Sequence, residues 1–244
     1  MGTKKMIVSI HQPMYLPWAP YICKIALSDI FVVFDNVQYP GGKSLTNRNY
    51  IKQNNTDVLL SLPIKKHALG TKIYDIEINN STNILRKHYK SIKLCYKNSL
   101  GSRFLDDLEP LYHLKENNIN FVDYCIWHIE LILKYLNIET KIMKSSDLIS
   151  ESIDGKDKIN EILKSLNATH YITGTGAGSV RYLDIENLLK NNIIVQKIIH
   201  SDIFFNYGSM ENQKLSFFDM LFTLGAECNS HILANSKIQH LKEI

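Results

Sequence analysis

Lys5-Met6-Ile7-Val8-Ser9-Ile10 and Ser28-Asp29-Ile30-Phe31-Val32-Val33-Phe34-Asp35 are two short apolar runs, rich in β-branched residues and bounded by polar ones. They are too short for helices and predict strands over 5–10 and 29–35. The stretch between them, Ala19–Leu27, is helix-compatible. Strand, helix and strand in this order form a βαβ unit, whose two strands lie parallel in one sheet.

The same rhythm returns after residue 140. Lys141–Lys144 reads as a strand, Lys156–Leu166 as a helix, and Thr169–Thr173 as a strand running into Gly174-Thr175-Gly176-Ala177-Gly178. Asp184–Asn191 (helix), Ile193–Ile199 (strand) and Leu215–Gly225 (helix) follow. Between the two α/β stretches, Asn47–Gln53, Val58–Ile64 and Lys72–Ile78 read as three strands of an antiparallel insert. Residues 83–136 are helical in pattern. Leu85, Tyr89, Ile92 and Tyr96 form one stripe, Leu105–Leu114 a shorter helix, and Val122, Ile126, Ile129, Leu133 and Leu136 a second stripe. The expectation is one α/β domain over residues 1–244, with a mainly parallel Rossmann-like sheet, a β insert and a helical insertion at about 83–136.

Composition removes several classes. At 45% apolar residues in 244, the chain can bury a core and is not disordered. A net charge of +4 is too mild to mark a nucleic-acid binder. The four cysteines, Cys23, Cys95, Cys125 and Cys228, lie far apart, which argues for reduced thiols rather than a disulfide framework. No run approaches the roughly 18 apolar residues of a membrane helix, and Met6-Ile7-Val8 is too short for the core of a signal peptide. A cytoplasmic protein with no membrane insertion is expected.

Chemistry-bearing residues gather in three places. The first is His11-Gln12-Pro13-Met14-Tyr15-Leu16-Pro17-Trp18 at the end of the first strand, where open α/β sheets bind ligands. His11 is a base candidate near neutral pH, while Tyr15 and Trp18 are suited to walling a flat ligand. The second follows the second strand: Asp35, Gln38, Gly41-Gly42-Lys43 and Asn47-Arg48-Asn49. If the two strands are parallel neighbours, Asp35 and Gln38 leave the sheet at the same edge as His11. The third is the glycine loop from Gly174 through Gly176 to Gly178, followed by Tyr182. It offers backbone N–H groups to a phosphate, but matches neither the P-loop nor the dinucleotide fingerprint. A stripe of Arg86, Lys90, Lys93 and Lys97 runs beside the apolar face of the first long helix and fits either a solvated helix face or contact with a nucleotide diphosphate or an RNA. The histidines lack metal-site spacing, so no metal site is expected.

The block Ile10 to Trp18, then Phe34-Asp35-Asn36-Val37-Gln38-Tyr39 with Asn47-Arg48-Asn49, resembles the opening of the WbqC-like proteins. The likeness continues through Arg86-Lys87-His88, Tyr171-Ile172-Thr173-Gly174, Tyr182-Leu183-Asp184 and Leu215 to Gly225. It implies a cytoplasmic tailoring enzyme of bacterial surface-polysaccharide (O-antigen, lipopolysaccharide) biosynthesis, with a nucleotide-linked sugar as partner and no nucleic acid.

Elimination narrows the reaction. There is no hexapeptide repeat, no Rossmann fingerprint after the first strand, and no lysine in a recognisable Schiff-base context. Group transfer without a tightly bound cofactor remains. The first expectation is transfer of an acyl, formyl or imidoyl group, from a donor the sequence does not name, to the amine of a nucleotide-linked amino sugar. In that reading His11 is the general base, and an acidic limb of the pH–rate profile is expected in the range of about 6.6 ± 1.0. Asp35 orients His11 or binds the amine, and Gln38 stabilises the transition state. Tyr15, Trp18, Asn47, Arg48, Gly174, Gly176 and Tyr182 bind substrate. The alternatives are a nucleotidyl- or glycosyltransferase with a cation on Asp35, or a sugar-nucleotide binding protein without turnover.

Overall fold

The computed structural model describes residues 5–41, 44–54, 56–153, 155, 157–174, 183–207 and 215–241. Its centre is a six-stranded sheet formed by β1 (Ile7–His11), β2 (Ile30–Val33), β7 (Lys141–Lys144), β8 (His170–Ile172), β9 (Ile194–His200) and β10 (Ser236–His240). The order is β10-β9-β8-β1-β2-β7. All neighbours pair parallel except β10, which runs antiparallel to β9. The apolar runs that predict β1 and β2 occupy the middle of the sheet, where Val8, Phe31, Val32 and Val33 are completely buried. The edge strands β7 and β10 carry Lys141, Lys144 and Lys237, charges that discourage pairing with another chain. The architecture is mixed α/β with a mostly parallel central sheet; it does not specifically assign a Rossmann fold.

The insert differs from the expected three strands. β3 (Arg48–Gln53) and β4 (Thr56–Ser61) form an antiparallel pair. The third run instead divides into a 3-10 turn, Ile73–Asp75, and β5 (Glu77–Asn79), which pairs with β6 (Asn118–Asn120). The reason lies in its backbone partners. Thr71 accepts from Tyr39 N–H at 2.9 Å, while Ile73 and Tyr74 donate to Val37 at 2.9 Å and Asp35 at 3.1 Å. The start of the segment is thereby bound to the loop after β2. Its end bridges antiparallel to the stretch just past β4, with Ile64 opposite Ile78, Lys65 N–H on Glu77 O at 2.9 Å and Asn79 N–H on Pro63 O at 2.8 Å.

Helix α1 (Ala19–Ala26) links β1 to β2. The helical insertion comprises α2 (Ile84–Tyr96), α3 (Phe104–Tyr112) and α4 (Phe121–Leu136). Asn120 starts α4 by accepting Asp123 N–H at 3.0 Å, and Asn137 ends it with a left-handed φ of 55°. Later come α5 (Asp157–Ser165), α6 (Ile185–Lys190), α7 (Phe217–Leu224) and α8 (Cys228–Ala234). Neither α8 nor β10 is foreseen from the sequence, because both are short and only weakly patterned.

Gly101 joins the insertion to α7. Its N–H donates to Phe222 O at 2.9 Å, and a Cβ there would lie 2.5 Å from Leu221 O. That atom is helix backbone and cannot swing aside. Gly101→Ala is therefore expected to cost about 1–3 kcal/mol in urea unfolding, as an overpacked core does. Unchanged stability would show that α7 shifts freely.

Candidate active site at the carboxyl ends of β1, β2 and β7

From β1 the chain moves through β2 to β7 on one side, then crosses to β8 and β9 on the other. β1 and β8 therefore flank the topological switch point, where open α/β sheets bind ligands beyond the strand ends. Ser9 pairs with Ile172, so His11 and Gly174, two residues further on each strand, stand at the same level. His11 also pairs with Val33, which brings Asp35 out at the same edge.

The turn after β1 is tightly fixed. Leu16 precedes a proline yet has a φ of 50°, a conformation that costs a bulky residue of order 1–3 kcal/mol. Three contacts hold it in place. Tyr15 N–H donates to Thr46 O at 2.8 Å, Asn49 Nδ2 to Leu16 O at 2.6 Å, and Phe217 N–H to Pro17 O at 2.7 Å.

His11 is half-buried, with its ring edge-on to Tyr21 at 4.9 Å. Nδ1 lies 2.9 Å from Gln12 O. A carbonyl only accepts, so the proton sits on Nδ1 and Nε2 is left as an acceptor. Burial, and then the neighbouring Lys24, pull the imidazole down from 6.5 to about 3. This replaces the expected acidic limb near 6.6: His11 is neutral across the whole physiological range.

Lys24 was not foreseen. It is 4% exposed, and its Nζ donates to the carbonyl of Ile10 at 2.8 Å. Among the described residues no carboxylate lies within ion-pair distance of it. Burial lowers its amine from 10.5 to about 7. A lysine in an apolar helical stretch carries no sequence signal that its head group turns inward to a strand end.

Asp35 is fully buried and does not engage His11. Its Oδ1 accepts from Ser145 Oγ at 2.8 Å and Ser146 N–H at 2.9 Å, and its Oδ2 accepts from Ser146 Oγ at 2.7 Å. These donors follow β7, so the carboxylate ties the ends of β2 and β7 together. With both oxygens engaged, it is a poor ligand for a cation.

The other expected residues divide. Tyr15 is 0% exposed and bonds His88 Nδ1 at 2.8 Å and Tyr112 OH at 3.2 Å, so its ring packs in the core and does not wall a ligand. Asn47 is buried, with Nδ2 on Leu62 O at 2.7 Å, fixing β3 rather than facing a crevice. Gln38 is exposed and its backbone bridges to Lys72. Arg48 opens β3 and acts electrostatically on Tyr39. Trp18 is 41% exposed at the start of α1 and available to a ligand. Gly174 lies two residues past the end of β8, beside the switch point; Gly176 and Tyr182 lie outside the described residues, as do Gly42 and Lys43. The structure thus gathers His11, Asp35 and Gly174 along one edge, with Lys24 beneath His11.

An apolar groove of about 540 Å³ between α3 and α4 is lined by Pro110, Leu111, Leu114, Trp127 and Leu131. Asp107, Glu130 and Lys134 also line it, and no strand-end residue does. Among the described residues no group of three or more His, Cys, Asp or Glu gathers to hold a metal ion. No helix is long and apolar enough to cross a membrane.

Residues 12–231 match the WbqC-like protein family. The chain belongs to that family. It is also similar to uncharacterized protein Rv1507c of Mycobacterium tuberculosis, at 27% identity over 237 residues, covering 92% of this chain and 96% of the relative. No solved structure matches it. The WbqC-like match begins at Gln12, within the strained turn, and takes in β2, the insertion and the β8 end. It therefore spans every element that builds the sheet edge except β1 itself.

Proposed function

We propose that this WbqC-like protein transfers an acyl-type group (acyl, formyl or imidoyl) to the amine of a nucleotide-linked amino sugar, with His11 Nε2 receiving the proton. The observation that carries this reading is a neutral imidazole, fixed by the Gln12 carbonyl, at the carboxyl end of β1 beside the topological switch point, where open α/β sheets bind ligands. The amine nitrogen attacks the donor carbon and the N–C bond forms. The nitrogen of the tetrahedral adduct then gives its proton to Nε2. The bond to the leaving group breaks, and the leaving group takes the proton from His11. The adduct nitrogen is more acidic than the free ammonium, and an imidazole held near 3, though a weak base, is not blocked by prior protonation at neutral pH.

Lys24 acts through His11. As an ammonium it holds the Ile10 carbonyl and repels a second positive charge on the adjacent ring. Trp18 supplies a flat apolar surface.

Mass spectrometry of a nucleotide-linked amino sugar incubated with the protein and formyl, acyl or imidoyl donors tests the reaction. The expected product is heavier by the transferred group, on nitrogen. Binding of the sugar nucleotide without a mass change under any donor would overturn the transferase reading.

A stability measurement tests Lys24 independently. Its amine titrates at about 7 in the folded chain against 10.5 when unfolded, so between those values the unfolded chain binds more protons. Stability must then rise with pH through that window as the buried charge is relieved. Urea unfolding of wild type and Lys24→Met is expected to show the difference moving in favour of wild type from about pH 7 to about pH 10. Parallel pH curves would mean that Lys24 is not buried as an amine.

A further inference from the structure

Helix α2 buries Leu85, His88, Tyr89, Ile92 and Tyr96 against the rest of the insertion. Its opposite face is uniformly basic. At 3.6 residues per turn, Arg86, Lys87, Lys90, Lys93 and Lys97 fall within an arc of about 120°. Arg103 follows after one more turn of chain. There is no Asp or Glu from Thr82 to Arg103. None of these cations forms an ion pair among the described residues, and only Lys93 is covered, by the Tyr89 ring at 5.6 Å.

Two leucines break the pattern of an ordinary solvated face. Leu94 lies inside the basic arc and is 59% exposed; Leu100, in the turn after α2, is 78% exposed. Acidic groups approach α2 from α3, where Glu109 accepts from Tyr89 OH at 2.9 Å, and from α7, where the buried Asp219 accepts from Tyr96 OH at 3.0 Å; both are already engaged.

We propose that this face docks the protein on the surface of an anionic phospholipid bilayer, with the cations on the headgroups and Leu94 and Leu100 in the interface. Three observations select that occupant. The basic face runs along about 17 Å of helix from Arg86 to Lys97, too long for a single nucleotide diphosphate. It exposes no aromatic ring on which a nucleic-acid base would stack. Its isolated leucines between lysines match an interface whose outer layer is anionic and whose inner layer is apolar. The helix has 13 residues, so it rests on the membrane and does not cross it.

Flotation of the full chain with vesicles of phosphatidylcholine alone, or with phosphatidylglycerol added, tests this. Binding is expected only with phosphatidylglycerol and should weaken as salt is raised. Lys90→Glu/Lys93→Glu/Lys97→Glu is expected to reduce binding by about a hundredfold or more. The charge-matched variant Lys66→Glu/Lys190→Glu/Lys237→Glu, exposed elsewhere, should keep it. Leu94→Ser/Leu100→Ser should weaken binding at unchanged charge. Equal loss in both charge variants would overturn the proposal, as would no binding to either vesicle. RNA binding that depends on the lysines but not the leucines would reassign the face to nucleic acid. All these side chains are exposed, and circular dichroism of each variant checks that it is folded.

Discussion

His11→Asn is expected to lower turnover by about a hundredfold or more while leaving the affinity for a nucleotide-linked amino sugar nearly unchanged. Asparagine keeps a polar group of similar reach but has no nitrogen able to receive a proton. The pH profile sharpens the test. Because the imidazole is held near 3, wild type should show no His11 limb where histidines ordinarily titrate. An inflection near 7 should instead follow Lys24 and disappear in Lys24→Met. Steady-state kinetics from about pH 5 to pH 9 check both points. Full activity in His11→Asn would make His11 a structural residue of the turn.

Asp35→Ala is expected to act on stability first. Removing the carboxylate strands the N–H and hydroxyl of Ser146 and leaves Ser145 Oγ with Asn36 Oδ1 at 2.9 Å. Hydrogen bonds to a charged acceptor are worth about 1.5–3 kcal/mol each, so the loss should reach about 3 kcal/mol or more. Asp35→Asn keeps one acceptor oxygen and should lose less. Urea unfolding measures both. A variant of wild-type stability with collapsed turnover would return Asp35 to the chemistry and away from the joint between β2 and β7.

The βαβ opening is legible because β1 and β2 are uninterrupted apolar runs with a helix of the right length between them. From that alone follows the shared edge of His11 and Asp35. What escapes the sequence is contact between distant elements. Ser145 and Ser146 close on Asp35 from 110 residues away, and no local pattern announces them. Lys24 reads as a surface lysine until its head group is seen on Ile10 O. Tyr15 reads as a ligand wall because its neighbours in the turn are polar, yet its hydroxyl turns inward to His88, which sits on the buried side of an otherwise basic helix. The run at 72–78 has strand composition, but the N–H groups of Ile73 and Tyr74 are claimed by the loop after β2 and those of Asp75 and Ile76 close a 3-10 turn, so only its end stays extended. Composition sets which strands form, whereas their partners depend on surfaces brought together by the whole fold.

The neutrality of His11 and its place at the ligand site are tested most directly by nitrogen and carbon NMR of its ring. Spectra would be taken from about pH 5 to pH 8, with and without a nucleotide-linked amino sugar. The neutral Nδ1–H form is expected throughout, with Nε2 shifting when the amino sugar binds. An imidazolium titrating near 6.5, or an Nε2 signal unmoved at saturating ligand, would contradict it.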